Sequence, residues 1–321
     1  MASKNKYEDI LKNVYQTYDS SKCKVQLDKL KIFICGGLVD IKQTTPPSFR
    51  AWFFQECANV APELEALLIV AESFKDYFRD NIYTDLLIFE DDIASISSLI
   101  VIFLESPGSL VEFGAFGGRA EFYKKLLVIV PDDADKDSFI NLGPLTHIKK
   151  KCDTSVVFYP FPKKGVTYDK EIVHTLIKDT KNKLSRLDKT QGFDKNNRAH
   201  VILLVLEIIR LSFPVTLSEI ESALKAFNIP SRKSYIKRYL YLLEKLGYIN
   251  FYEYSTYKFY YPSNEYIETP FIIFGKNDKN IPFDEGKHRA ILLQSYLDLN
   301  DDISQKRKSA LKVIKNTIGV S

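Results

Sequence analysis

Five short apolar runs punctuate the first half of the chain, with helical patterns between them. The runs are "KIFICGG" (31–37), "ALLIV" (66–70), "SLIVIFL" (98–104), "KLLVIV" (125–130) and "TSVVFYPF" (154–161). Strands that are apolar throughout must be covered on both faces. The intervening "SFRAWFFQECA" (48–58), "FKDYFRDNIYTDLLIFEDDIAS" (74–95) and "VEFGAFGGRAEFYK" (111–124) supply helices for that purpose. The pattern predicts a doubly wound α/β domain with a mostly parallel five-stranded sheet of the flavodoxin-like type. Ligands of such sheets bind beyond the carboxyl ends of the strands, where "CGGLVD", "AES" and "ESPGS" fall. These three loops are expected to share one crevice.

The second half reads differently. A helical pattern over about 168–187 and the polar stretch "LDKTQGFDKNNR" (187–198) form a connector. Then come three helices, "AHVILLVLEIIRLS", "TLSEIESALKAF" behind a Thr216/Ser218 cap region, and "SRKSYIKRYLYLLEKLG" closed by Gly247, followed by the aromatic hairpin 248–262. Three helices and a two-stranded ribbon is the order of a winged helix-turn-helix. The expected organisation is an N-terminal helical segment (1–29), the α/β domain (30–162), a helical connector (163–197), an α+β winged helix domain (198–262), and a C-terminal loop and helix (263–321, the helix from about 286 to 316).

Composition excludes several function classes. Among 321 residues, 45 Lys and Arg face 41 Asp and Glu, a balance too mild to mark the whole chain as nucleic-acid-binding, so electrostatic arguments must be local. The N-terminus lacks the apolar region of a signal peptide and no run approaches the length of a membrane helix, so the expectation is a cytoplasmic protein without membrane contact. Cys23, Cys35, Cys57 and Cys152 are scattered without a CxxC pair and read as buried free thiols. His147, His174, His200 and His288 are equally dispersed. Neither a metal site nor a Ser/His/Asp triad is expected.

The most informative stretch is "ESPGSLVEFGAFGG" (105–118). In one reading Ser109 caps a helix, Glu112 completes a capping box, and the small residues let the helix lie close to the sheet. In the other, Pro107 and Gly108 shape a tight turn, the N–H groups of Ser109 and Leu110 cradle a phosphate or ribose hydroxyl, and Glu112 projects into the crevice. A carboxylate in the first helical turn is favoured in its ionised form. It therefore suits a nucleophile, or a stabiliser of the oxocarbenium-like transition state of glycosyl transfer, better than a proton donor.

The same stretch resembles the nucleoside 2′-deoxyribosyltransferase-like proteins, whose catalytic glutamate lies in a Gly-Ser/Thr-x-x-Glu-φ-Gly-x-Ala pattern. Gly108, Ser109, Glu112, Phe113 and Gly114 match it, with Ala115 one place early. "IFICGG", "ESPGSLVEFGAF" and "SFINLGPL" (138–145), in that order, resemble more narrowly the effectors of bacterial retron anti-phage defence systems, which join this fold to a winged helix. The resemblance implies an N-glycosidase with Glu112 as catalytic carboxylate. It also implies substrate contacts from Gly36, Gly37, Glu72, Glu90, Ser106, Gly108, Ser109 and Asn141. The family often has an aspartate just before the third strand, where this chain has Ser97 and Ser98.

Leaving-group chemistry orders the substrates. The nicotinamide of NAD is already cationic and departs neutral, so one carboxylate suffices, whereas a purine must be protonated as it leaves. NAD is therefore the leading expectation, as substrate and not as cofactor, and no cofactor is expected. A nucleoside or nucleotide glycosidase releasing a free base is the alternative, with Glu105 available as a second carboxylate. A nucleotide-sensing DNA-binding regulator without turnover is a third reading. Arg232, Lys233, Lys237 and Arg238 are expected to form one basic, phosphate-contacting face of the third helix of the winged domain. In a retron the partners implied are the reverse transcriptase and its msDNA–RNA hybrid. Self-association is left open.

Overall fold

The computed structural model describes residues 6–40, 45–74, 82–163, 168–230, 232–277 and 279–319. The chain divides into two compact units: residues 28–75 with 97–188, and residues 1–27 with 76–96 and 189–321.

The first unit is an α/β layer built on five parallel strands, Ile32–Cys35, Leu68–Ile69, Leu99–Phe103, Leu126–Pro131 and Val156–Tyr159. In space the order is second, first, third, fourth, fifth. The first and third strands are buried along their whole length, as continuous apolar runs require. Alternation sends Ile32 and Ile34 into a core with Phe49, Phe53 and Cys57 of the helix Phe49–Val60 and Val173, Leu176 and Ile177 of the helix Lys170–Ser185. Phe33 faces the other way, with its ring 6.0 Å from that of Phe116 in the helix Pro107–Gly117. The first and third strands are neighbours, yet their connections lead to opposite sides of the sheet. Their carboxyl ends therefore form the topological switch point, where such folds hold ligands.

Several elements differ from expectation for local reasons. The pattern 111–124 is not one helix: Pro107–Gly117 ends at Gly118, and a 3-10 helix, Ala120–Lys125, follows. Of the pattern 74–95, residues 75–81 lie outside the described residues, and the helix Leu86–Ile96 belongs to the second unit. The connector helix Lys170–Ser185 belongs to the first unit, because its apolar stripe completes the sheet's core.

The second unit contains three consecutive helices, Arg198–Ser212, Leu217–Ala226 and Lys233–Lys245, and an antiparallel ribbon, Ile249–Tyr254 with Tyr257–Pro262. Asn197 caps the first helix. Thr216 and Glu219 form a capping box at the second, the Thr216 N–H donating to Glu219 at 2.8 Å. Gly247, at φ +76°, ends the third in the left-handed conformation that glycine adopts without strain. The helix Lys6–Gln16 belongs to this unit, as does a three-stranded antiparallel sheet, Ile272–Ile273, Lys24–Gln26 and Thr190–Gly192, that no periodicity announced. The C-terminal pattern forms two helices, Glu285–Asp298 and Asp302–Ile318, because the Asp301 carboxylate caps the second by accepting the Ser304 N–H at 3.1 Å. Among the described residues no helix is long and apolar enough to cross a membrane.

Candidate active site

The loop after the first strand is held by two charged side chains, the buried Arg50 and the half-buried Glu105. Arg50, in the first turn of the helix Phe49–Val60, is almost fully buried. Its Nε donates to the Gly37 carbonyl at 2.6 Å, Nη1 to the Ile34 carbonyl at 3.3 Å, and Nη2 to Glu72 at 2.8 Å. Glu105, at the end of the third strand, accepts the N–H groups of Gly37 (2.9 Å), Phe49 (2.7 Å) and Arg50 (3.1 Å). Its carboxylate thus satisfies donors at the N-terminus of Phe49–Val60 and ties the first loop to the third. This bracing accounts for the glycine pair. A Cβ on Gly36 would lie 3.0 Å from Arg50 Cδ and Phe103 Cβ, and one on Gly37 2.8 Å from Ser48 Cβ and 3.1 Å from the Glu105 carboxyl.

The helix Pro107–Gly117 is capped by Ser106, not by Ser109. Ser109 N–H donates to Ser106 Oγ at 3.1 Å, and Ser106 N–H donates to Ser109 Oγ at 3.1 Å, a reciprocal box with Pro107 in the first helical position. The Leu110 N–H is bonded to the Ser106 carbonyl at 3.2 Å. Ser109 is fully buried. The cradle expected from the Ser109 and Leu110 amides is therefore closed by the cap itself.

The earlier start moves Glu112 into the second turn, away from the helix N-terminus. Burial, with the charge of Glu72 adding to it, pushes its carboxyl up to about 7; Arg50 and a hydrogen bond with Cys35 offset part of the rise. The expectation of a carboxylate held ionised by the macrodipole is overturned, because desolvation and a like charge outweigh a dipole that fades within one turn. Glu112, Glu72, Arg50 and Cys35 thus gather at the carboxyl end of the first strand. Near neutrality this arrangement holds two carboxyls, one guanidinium and a proton that is easily gained or lost.

Beside this cluster lies an open cavity of about 700 Å³ lined by Gly37, Leu38, Ser48, Glu105, Ser106, Pro107 and Leu110 and, farther along the chain, by Pro131, Phe161 and Pro162. That size accommodates a nucleotide-scale ligand. The loops "CGGLVD" and "ESPGS" share it, while "AES" joins the site through Glu72 on Arg50. Glu112 does not line the cavity; it lies among Arg50, Glu72 and Cys35, joined to the lining through Arg50 and Gly37.

Other expected residues lie elsewhere or are engaged. Glu90 sits in Leu86–Ile96 of the second unit. The Asn141 side chain donates to the Asp135 carbonyl at 2.5 Å and so braces its own loop. Ser97 and Ser98 stand at the amino end of the third strand, with Ser98 Oγ on the Leu30 and Lys31 carbonyls, at the opposite end of the strand from Glu105. Gly108 is open: a Cβ there would meet only Ser106 Oγ, at 3.8 Å. Arg50 and Cys35 were not anticipated. The one signal for Arg50 was a lone cation inside the apolar pattern "SFRAWFF".

In the second unit the four basic residues do not make one face. Arg238 donates to the buried Asp92 at 2.6 Å, and Asp92 also receives Arg198 at 2.9 Å and Tyr83 at 3.0 Å. Arg232, Lys233 and Lys237 are exposed.

Comparison with known proteins adds independent findings. A family model described as the STM3845 retron effector protein matches residues 46–251. The chain is similar to the "Retron Ec86 putative ribosyltransferase/DNA-binding protein" of Escherichia coli, 32% identical over 133 residues covering 40% of each chain. It is also similar to the "Retron Ec73 putative ribosyltransferase/DNA-binding protein" of Escherichia coli, 26% identical over 266 residues, 75% of this chain and 81% of that one.

Proposed function

The chain belongs to the STM3845 retron effector family, and from that premise we propose that its α/β unit cleaves the N-ribosidic bond of a nucleotide, NAD foremost, with Glu112 as the catalytic carboxylate. The single observation that carries the reading is the grouping of Glu112, Glu72 and Arg50 at the switch point of the sheet beside a nucleotide-sized cavity. Arg50 holds Glu72 and the first-strand loop, so the site is framed before substrate arrives. As the C1′–N bond stretches, positive charge develops on the ribose, and the Glu112 carboxylate stabilises it. Nicotinamide leaves with the bonding electron pair as a neutral base, and water attacks C1′ to give ADP-ribose and a proton. The names of the two relatives, with "ribosyltransferase" in both, agree with such chemistry. In the second unit, the three helices and ribbon act as a winged helix that engages the retron's nucleic acid and reverse transcriptase, and toxicity follows from nucleotide loss.

A second reading rests on the raised carboxyl of Glu112. A group protonated up to about pH 7 can donate to a departing purine or pyrimidine, which makes the unit a nucleotide glycosidase releasing a free base. The two readings predict opposite pH limbs. If Glu112 acts as an anion on NAD, kcat/KM rises through about pH 7; if it acts as an acid, kcat/KM falls there. Released bases from NAD and a nucleotide panel, followed by chromatography from pH 5 to 9, decide between them. Absence of any base release across that range rejects the enzymatic reading in favour of a nucleotide sensor.

A further inference from the structure

The second unit contains a cavity of about 510 Å³ that the basic-helix reading does not use. It lies between the loop ahead of Arg198–Ser212 and the start of Lys233–Lys245, lined by Lys195, Asn196, Arg198, Asn228, Tyr235 and Tyr239 over an apolar floor of Val201, Ile229 and Pro230. Helical spacing puts Tyr235 and Tyr239 on the side of Lys233–Lys245 that lines the cavity, and Lys233 and Lys237 on another.

Two features point to a ligand. Tyr239, 9% exposed, lines the cavity together with Asn196 and Asn228, so a phenol and two carboxamide side chains belong to its wall. Tyr235 is 42% exposed at the mouth. One side of its ring carries the Arg238 guanidinium, 5.6 Å from the centroid, and Asp92 holds that arginine in place. This is a pre-ordered aromatic wall. The ion pairs of Arg198 with Asp91 and Asp92 leave Lys195 as a cation of the lining.

We propose that this cavity binds a single unpaired nucleotide. Its base lies against Tyr235 with a polar edge toward Tyr239, Asn196 and Asn228, and its phosphate lies toward Lys195. This rests on the reading of the unit as nucleic-acid-binding and deepens it: the preferred ligand is a single strand or a strand end, and paired stems bind less well. A free nucleoside monophosphate presents the same chemistry.

The test is a fluorescence titration of the full chain with a short single-stranded oligodeoxynucleotide carrying 2-aminopurine, the same sequence closed into a hairpin stem, and free 2-aminopurine deoxyriboside monophosphate. The expected result is quenching of the single strand and not of the stem. Tyr235→Ala should weaken binding about fivefold or more, the usual effect of losing one stacking platform. Tyr239→Phe, which keeps the packing, should alter the preference among bases. If the free monophosphate quenches, competes with the strand and loses both effects in Tyr235→Ala, the cavity holds and its ligand is a soluble nucleotide as well; quenching that Tyr235→Ala leaves unchanged belongs to the α/β unit and counts against this cavity. If Tyr235→Ala and Tyr239→Phe bind like the wild type while the triple variant Arg232→Ala, Lys233→Ala, Lys237→Ala binds less, the cavity proposal falls and backbone binding stands. If the wild type binds neither strand nor monophosphate, both fall.

Discussion

Glu112→Gln should stabilise the α/β unit, and the gain should depend on pH. The folded carboxyl holds its proton up to about pH 7, whereas the unfolded chain releases it near 4.5. Between these values the native state binds more protons than the unfolded state, so wild-type stability falls as pH rises through the window. The displacement corresponds to about 3 kcal/mol at roughly 1.4 kcal/mol per pH unit. Glutamine keeps the shape and carries no charge, so the variant should match the wild type near pH 4.5 and exceed it by up to about 3 kcal/mol above pH 7. The chain's one tryptophan, Trp52, lies in Phe49–Val60, so its fluorescence in urea reports this unit alone. A gain of constant size from pH 4.5 to 8.5, or no gain at all, would refute the placement of Glu112 in a desolvated, like-charged setting.

Glu72→Gln removes the repelling neighbour and leaves Arg50 to Glu112, so the pH limb of catalysis should move to lower pH in a base-release assay. Gly37→Ala forces a Cβ against Ser48 and the Glu105 carboxyl. It should destabilise the unit by about 1–3 kcal/mol, read from the Trp52 transition. Gly108→Val enters open space, so the transition should stay in place while KM for the nucleotide rises. Arg238→Ala leaves the buried Asp92 short of a cation and should cost about 2 kcal/mol in thermal unfolding. Arg232→Ala with Lys233→Ala and Lys237→Ala should instead leave stability intact and flatten the salt dependence of nucleic-acid binding by about 0.7–0.9 in log–log slope per lost phosphate contact.

The five strands were legible because sheets covered on both faces require unbroken apolar runs, and all five pair in parallel. Glu112 was legible as the acid of a Gly-Ser loop, but its setting was not, since helix register turns on which serine caps. Ser106 wins over Ser109 because Pro107 behind it suits the first helical position and Ser109 returns the bond. The Arg50–Glu105 brace was illegible for a different reason. Its acceptors and donors, the Gly37 carbonyl and the amides of Gly37 and Phe49, are backbone groups brought together only by the fold. Arg238 read as part of a phosphate-contacting face because nothing local discloses a buried aspartate in another segment.

The central claim is that Glu112 carries the chemistry. It is tested most directly by measuring nicotinamide released from NAD by purified wild type and Glu112→Gln at one pH above 7, with Trp52 fluorescence showing both folded. Release by the wild type and none by the variant is the expected result; equal release by both would contradict the account.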